Sequence, residues 1–110
     1  MSETDIMRAI RVAVNATGKA TLWRNNVGFD KDKKVKYGLG KGSADLVGFL
    51  HSTGRILAVE VKTSVGRLSP EQKAYLSFVA ERGGIAGVAR SVEEAFSLIF
   101  GEGTPPHSGA

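Results

Sequence analysis

The sequence has no cysteine. Disulfides, zinc–thiolate sites and a thiol nucleophile are therefore excluded, and a metal would have to be held by oxygen or by the two histidines. Apolar runs are short, and none approaches the roughly 20 residues that span a bilayer, so no membrane partner is expected. The opening Met1-Ser2-Glu3-Thr4-Asp5 is acidic where a signal peptide is basic, which makes a cytoplasmic location the default expectation. Without secretion, the Asn15-Ala16-Thr17 sequon carries no meaning. No serine or threonine has a histidine and a carboxylate placed to activate it. His51 reads as a turn residue and His107 as a tail residue, neither with a partner at metal spacing. The segment Gly38-Leu39-Gly40-Lys41-Gly42-Ser43 fails the Walker pattern, because Gly42 follows Lys41 and position 35 is not glycine. It fails the dinucleotide fingerprint at Ser43, so no small-molecule cofactor is indicated.

What remains is an ordinary soluble composition, with 42% apolar and 24% charged residues in a 110-residue chain. That length suits one domain, expected over residues 1–100, with a disordered tail over 101–110. Fifteen basic against eleven acidic residues leave a net charge of +4, which suits a polyanionic partner without demanding one. Lys31, Lys33, Lys34, Lys36 and Lys41 crowd one segment, diluted by Asp32. With Arg67 they are candidate phosphate contacts, although such a cluster is equally a solvated loop.

Periodicity predicts a helix over residues 3–16, with Ile6, Ala9, Ile10, Ala13 and Val14 on its buried stripe, Ser2 as its cap and Gly18 as its stop. A strand follows over residues 20–26, with Trp23 as a large apolar anchor, and 34–37 can form a short edge strand. Residues 45–50 and 56–62 read as a β-hairpin joined by His51-Ser52-Thr53-Gly54. Ser69, Pro70 and Gln72 spell a capped helix start. Its apolar positions Tyr75, Leu76, Phe78 and Val79 run to a stop at Gly83-Gly84. Residues 85–89 read as a strand and 91–100 as a helix. The order α-β-(β)-β-β-α-β-α predicts one mixed sheet flanked by helices, with strand 85–89 parallel to strand 56–62.

A four-residue connection pairs Leu50 with Arg55 and brings Asp45 directly opposite Glu60, on one face of the sheet. Two carboxylates so placed repel, and a divalent cation between them removes the conflict. Lys62 lies two residues beyond Glu60 and shares that face. Oxygen ligands from Asp45, Glu60 and the Val61 carbonyl suit magnesium or manganese, with Lys62 placed to orient or deprotonate a water. Alone, Glu-x-Lys is more often an ordinary exposed ion pair at a strand end, and its opposition to Asp45 and the glycine-rich approach bring the two readings nearer even. Glu3 extends the buried stripe of the first helix, as a third metal ligand or as a favourable first-turn acid. Gln72 either completes its capping box or also reaches the cleft.

Gly42-Ser43-Ala44-Asp45, then Glu60-Val61-Lys62 and Ser69-Pro70-Glu71-Gln72, together resemble the PD-(D/E)XK nuclease superfamily. Within it the chain is most similar to the VRR-NUC domain in its stand-alone form, over roughly residues 1–90. The resemblance implies a restriction endonuclease-like α/β fold, with site residues at Glu3, Asp45, Glu60, Lys62 and Gln72. Ala44 stands where the motif name has proline, a position that shapes the turn and supplies no ligand. The resemblance further implies a magnesium- or manganese-dependent phosphodiesterase. Its stand-alone members resemble Holliday junction resolvases, acting as homodimers on branched DNA in phage or bacteria. Cutting two symmetric strands independently calls for two sites on a twofold axis. The alternatives are a non-catalytic nucleic-acid-binding module and a protein-interaction subunit of a repair complex.

Overall fold

The computed structural model describes residues 1–26, 28–30, 35–37 and 42–101. Helix α1 (Glu3–Ala16) begins where the spacing predicts it. Its start is a reciprocal cap: Ser2 Oγ accepts from the Asp5 backbone N–H, while the Asp5 carboxylate accepts from the Ser2 backbone N–H. Ile6, Ile10 and Val14 form its buried stripe.

Strand β1 (Ala20–Arg24) stops short of the predicted end at Asn26. Strands β2 (Gly28–Asp30) and β3 (Val35–Tyr37) pair only with each other, as a two-stranded ribbon. The edge strand expected over 34–37 is thus not part of the main sheet, and β2 has no counterpart among the expected elements. Lys31, Lys33, Lys34 and Lys41 lie outside the described residues, as does the tail 102–110. Lys36 belongs to β3, whose side chains are not described.

The main sheet runs β1-β4-β5-β6, with β4 (Leu46–Leu50), β5 (Ile56–Val61) and β6 (Ile85–Ala89). Strands β1, β4 and β5 are antiparallel in turn, and β6 is parallel to β5. That last pairing follows from α2 (Pro70–Glu81), which carries the chain back across the sheet. Helix α2 opens with the predicted capping box: Ser69 Oγ accepts from Gln72 N–H, and Gln72 Oε1 accepts from Ser69 N–H. Helix α3 (Val92–Phe100) is capped by Ser91.

Alternation along the strands sorts the core into two layers. Leu57, Val59 and Val61 face α1 and α3, packing with Ile6, Ile10, Val14, Ala95 and Ile99. Val47 and Ala58 face α2, packing with Leu76 and Val79. The α2 layer is narrower than the sheet. Trp23 and Phe78 consequently stay about half exposed, at 48% and 54%, and neither is the core residue the sequence reading expects. Trp23 instead meets Phe49 edge-on, and Phe78 lies under the Arg82 guanidinium. His51, expected to be incidental, ties the turn down: its ring nitrogens lie 2.6 Å from Thr21 Oγ1 and 2.9 Å from the Gly18 carbonyl.

Candidate active site

The β4–β5 ladder pairs Leu46 with Val59, Val47 with Ala58, Gly48 with Leu57 and Phe49 with Ile56. This is the register the hairpin loop predicts, and one step beyond Leu46 and Val59 it sets Asp45 opposite Glu60. Ala58 faces α2, so Glu60 and Lys62 emerge on the α2 face at the end of β5. The Asp45 Oδ2 atom accepts a hydrogen bond from the Val61 backbone N–H at 2.9 Å. That hydrogen bond clamps the start of β4 onto the end of β5.

Glu60 is the anomaly of the interior. It is 1% exposed, the sole charged residue among the buried ones described, and neither Oε1 nor Oε2 has a hydrogen-bond partner. An ionised carboxylate in such a place costs several kcal/mol, and proteins usually neutralise it or pair it. Burial pushes its pKa from 4.5 up to about 8; the adjacent Asp45 carboxylate pushes the same way, by accepting a hydrogen bond from the protonated acid and by its charge, and the Lys62 ammonium pulls back. Perturbation by burial plus a specific charge partner, here at the end of an inner strand, is characteristic of functional groups.

The approach to Asp45 is held by a residue that sequence reasoning missed. Asn25 Nδ2 donates to Ser43 Oγ at 2.8 Å and to the Ala44 carbonyl at 2.9 Å, and the Asn25 backbone N–H donates to the Asp45 carbonyl. Gly42, with φ of +84°, lies against the first turn of α2, and a Cβ there would come within 2.9 Å of the Glu71 backbone. Both the positive φ and the close approach require glycine. An asparagine just past a strand carries no signature that would reveal this role.

Lys62 leaves β5 with its backbone N–H donating to the Ala89 carbonyl. Its aliphatic stem runs over Gly66, where a Cβ would sit 3.2 Å from Lys62 Cδ. The loop beneath it is pinned by Arg90, whose Nη1 donates to the carbonyls of Thr63 and Gly66 at 2.5 and 2.7 Å. Arg90 was also missed, since a basic residue after a strand looks like ordinary surface. Arg67, exposed, shares a concavity of about 280 Å³ with Leu68, Lys73 and Arg90 beside the start of α2.

Two expected participants stand differently. Gln72 has its carbonyl oxygen committed to the α2 cap, leaving only its amide nitrogen for other work. Glu3 is partly buried, but among the described residues no three His, Asp or Glu side chains gather closely enough to hold a metal. It therefore forms no close three-carboxylate cluster with Asp45 and Glu60. A concavity of about 500 Å³ at the far end of the strands, between Lys19, His51 and Phe100, holds no carboxylate and plays no part.

The arrangement can hold one hard cation at the end of β5. Two carboxylates share a face, one of them wholly unsatisfied, with an amine alongside. Against known protein families, residues 8–93 match the model of the VRR-NUC domain. Among solved structures, one described as a VRR_NUC domain superposes with a TM-score of 0.65 at 21% identity, covering 91% of this chain and 96% of that one. That identity speaks to fold alone. No curated protein matches the chain.

Proposed function

Since the chain belongs to the VRR-NUC family, a nuclease-type domain, we propose that it is a divalent-metal-dependent endodeoxyribonuclease whose catalytic centre is Asp45, Glu60 and Lys62. The observation that carries this reading is the Glu60 carboxylate, buried beside Asp45 with no hydrogen-bond partner for either oxygen. A cation is the partner such a site lacks. The donor set fits magnesium or manganese: the oxygens of Asp45 and Glu60 with the Val61 carbonyl, all hard ligands at the end of one strand. Glu3, on α1 at the other face of the sheet, would contribute only through water. When bound, such an ion stabilises negative charge on a phosphate and lowers the pKa of a water.

The protein's own groups do the rest. Asp45 is oriented by the Val61 N–H and by the loop that Asn25 holds, so its carboxylate meets the site without reorganisation. Glu60 sits where water is excluded, which strengthens every charge interaction it makes. Lys62, its stem guided over Gly66, orients the attacking water as an ammonium or takes up its proton as the neutral amine. Gln72 supports that end of the site through its amide nitrogen. Arg67 and Lys31, Lys33, Lys34, Lys36 and Lys41 contact backbone phosphates, which position DNA without reading sequence. No small-molecule cofactor is needed.

Branched DNA such as a Holliday junction is the proposed substrate, cut by a homodimer with its two sites related by a twofold axis. The setting is the cytoplasm, in DNA repair or during phage infection. The test compares labelled four-way junctions, flaps, forks and plain duplex with magnesium, with manganese and with EDTA. Metal-dependent cleavage is expected, falling by at least about 10²-fold in Glu60→Gln and in Lys62→Ala while DNA binding persists. Cleavage by either variant at the wild-type rate, or cleavage undiminished in EDTA, refutes the assignment.

A further inference from the structure

Apart from Arg67 beside the start of α2, the arginines of the described residues divide into two sets. Arg55 donates to the Gly83 carbonyl, Arg82 to the Phe78 carbonyl and Arg90 to the loop under Lys62, so these three are spent on the fold. Arg8, Arg11 and Arg24 donate no hydrogen bond and form no ion pair among the described residues, yet all three line one concavity of about 110 Å³ with Thr4 and Met7. Thr4, Arg8 and Arg11 are spaced i, i+4, i+7 and share a stripe of α1, and Arg24 is the last residue of β1, the edge strand against which α1 packs. No acidic residue lines this hollow. Asp5 feels the charge of Arg8, but its carboxylate is already bound by the N–H and hydroxyl of Ser2.

Three arginines lining one hollow with no acidic residue in its wall place like charges near one another, and the fold gains nothing from holding them there. Each presents a planar fork suited to phosphate oxygens. Thr4 adds a hydroxyl. The position matters as much as the charge. Arg24 pairs with Leu46, the residue after Asp45, so the cluster lies at the same end of the sheet as the Asp45–Glu60 pair, on the α1 face where that pair emerges on the α2 face. Neighbouring strands are separated by about 4.8 Å, so the flank of β1 is within a few strand widths of Glu60. On the opposite side of the pair, Arg67 and Lys73 line their own concavity.

We infer that Thr4, Arg8, Arg11 and Arg24 form a phosphodiester grip for the nucleic-acid backbone. The strand would run across the end of the sheet, from this grip, past the carboxylates, to Arg67 and Lys73. This inference rests on the nuclease reading for its ligand. It assigns a binding role to residues outside the lysine segment, on which the sequence reading places nearly all the phosphate contacts.

The test measures binding alone, with EDTA present, by anisotropy of a short fluorescein-labelled duplex and of the same single strand between about 50 and 200 mM salt. Arg8→Gln/Arg11→Gln is compared with Arg55→Gln/Arg82→Gln, which removes the same charge elsewhere, and thermal melting confirms that each variant is folded. The grip predicts roughly tenfold weaker binding for the first pair, with a salt dependence shallower by about 0.9 in log–log slope for each phosphate no longer neutralised. Arg8→Lys/Arg11→Lys should recover most of the slope. Unchanged affinity and slope in the first pair, or an equal weakening in both pairs, overturns the grip while leaving the nuclease reading intact. A wild-type protein that binds neither probe at low salt overturns both.

Discussion

Glu60 offers a measurement of the site that needs no substrate. In the metal-free folded protein its pKa is raised from 4.5 to about 8 by burial and by Asp45. The folded state therefore holds a proton that the unfolded state releases. The associated stability is fully present below about pH 4.5 and is lost progressively as pH rises to about 8. At about 1.4 kcal/mol per pKa unit the full shift is worth roughly 5 kcal/mol, of which roughly 4 kcal/mol is lost by pH 8. For a domain of this size that is on the order of 15 °C in melting temperature. Glu60→Gln is nearly isosteric with the protonated acid and cannot ionise, so its melting temperature should stay almost flat over the same range. The two proteins should melt together at pH 5 and diverge towards pH 8, with the variant the more stable. Asp45→Asn should shrink the divergence, because it removes the charge that helps to hold the proton on Glu60. Added magnesium should restore the wild type near pH 8, by roughly 3 kcal/mol at a hundredfold excess over its dissociation constant, and should leave Glu60→Gln little changed. Calorimetry or far-ultraviolet dichroism across this pH range, in EDTA and in magnesium, gives the result. A wild-type profile that tracks Glu60→Gln would mean that Glu60 ionises at no cost, and the reasoning from an unsatisfied buried carboxylate would fail.

The supporting residues yield further expectations. Asn25→Ala removes two side-chain hydrogen bonds to the loop ahead of Asp45. It should cost about 1–3 kcal/mol in urea denaturation and slow single-turnover cleavage more than it weakens DNA binding; unchanged stability would show that the loop holds itself. Gly42→Ala places a Cβ within 2.9 Å of the Glu71 backbone at a φ of +84°. A destabilisation of about 2 kcal/mol or more is expected, with reduced cleavage as Asp45 shifts; a variant as stable as wild type would show that α2 yields freely.

Much of the fold was legible because local chemistry and global packing agree. The caps at Ser2, Ser69 and Ser91 each lie where a side-chain oxygen can meet a free backbone N–H, and all three helices begin there. The hairpin register could be counted from its loop, and that register carried Asp45 and Glu60 to one face. Trp23 and Phe78 defeat a reading by hydrophobicity, which does not reveal how far a covering helix extends. Helix α2 covers β5, β6 and part of β4 and leaves β1 bare on that face, so both rings remain half in water.

The alternation of residues along β5 and the length of the turn before it were enough to put two carboxylates and an amine together, since strand geometry permits one arrangement of those positions. Burial of Glu60 without a partner, the hold of Asn25 and Arg90 on the flanking loops, and the convergence of Arg8, Arg11 and Arg24 depend on elements distant in sequence. Desolvation and long-range hydrogen bonds are properties of the packed chain, and no local pattern encodes them.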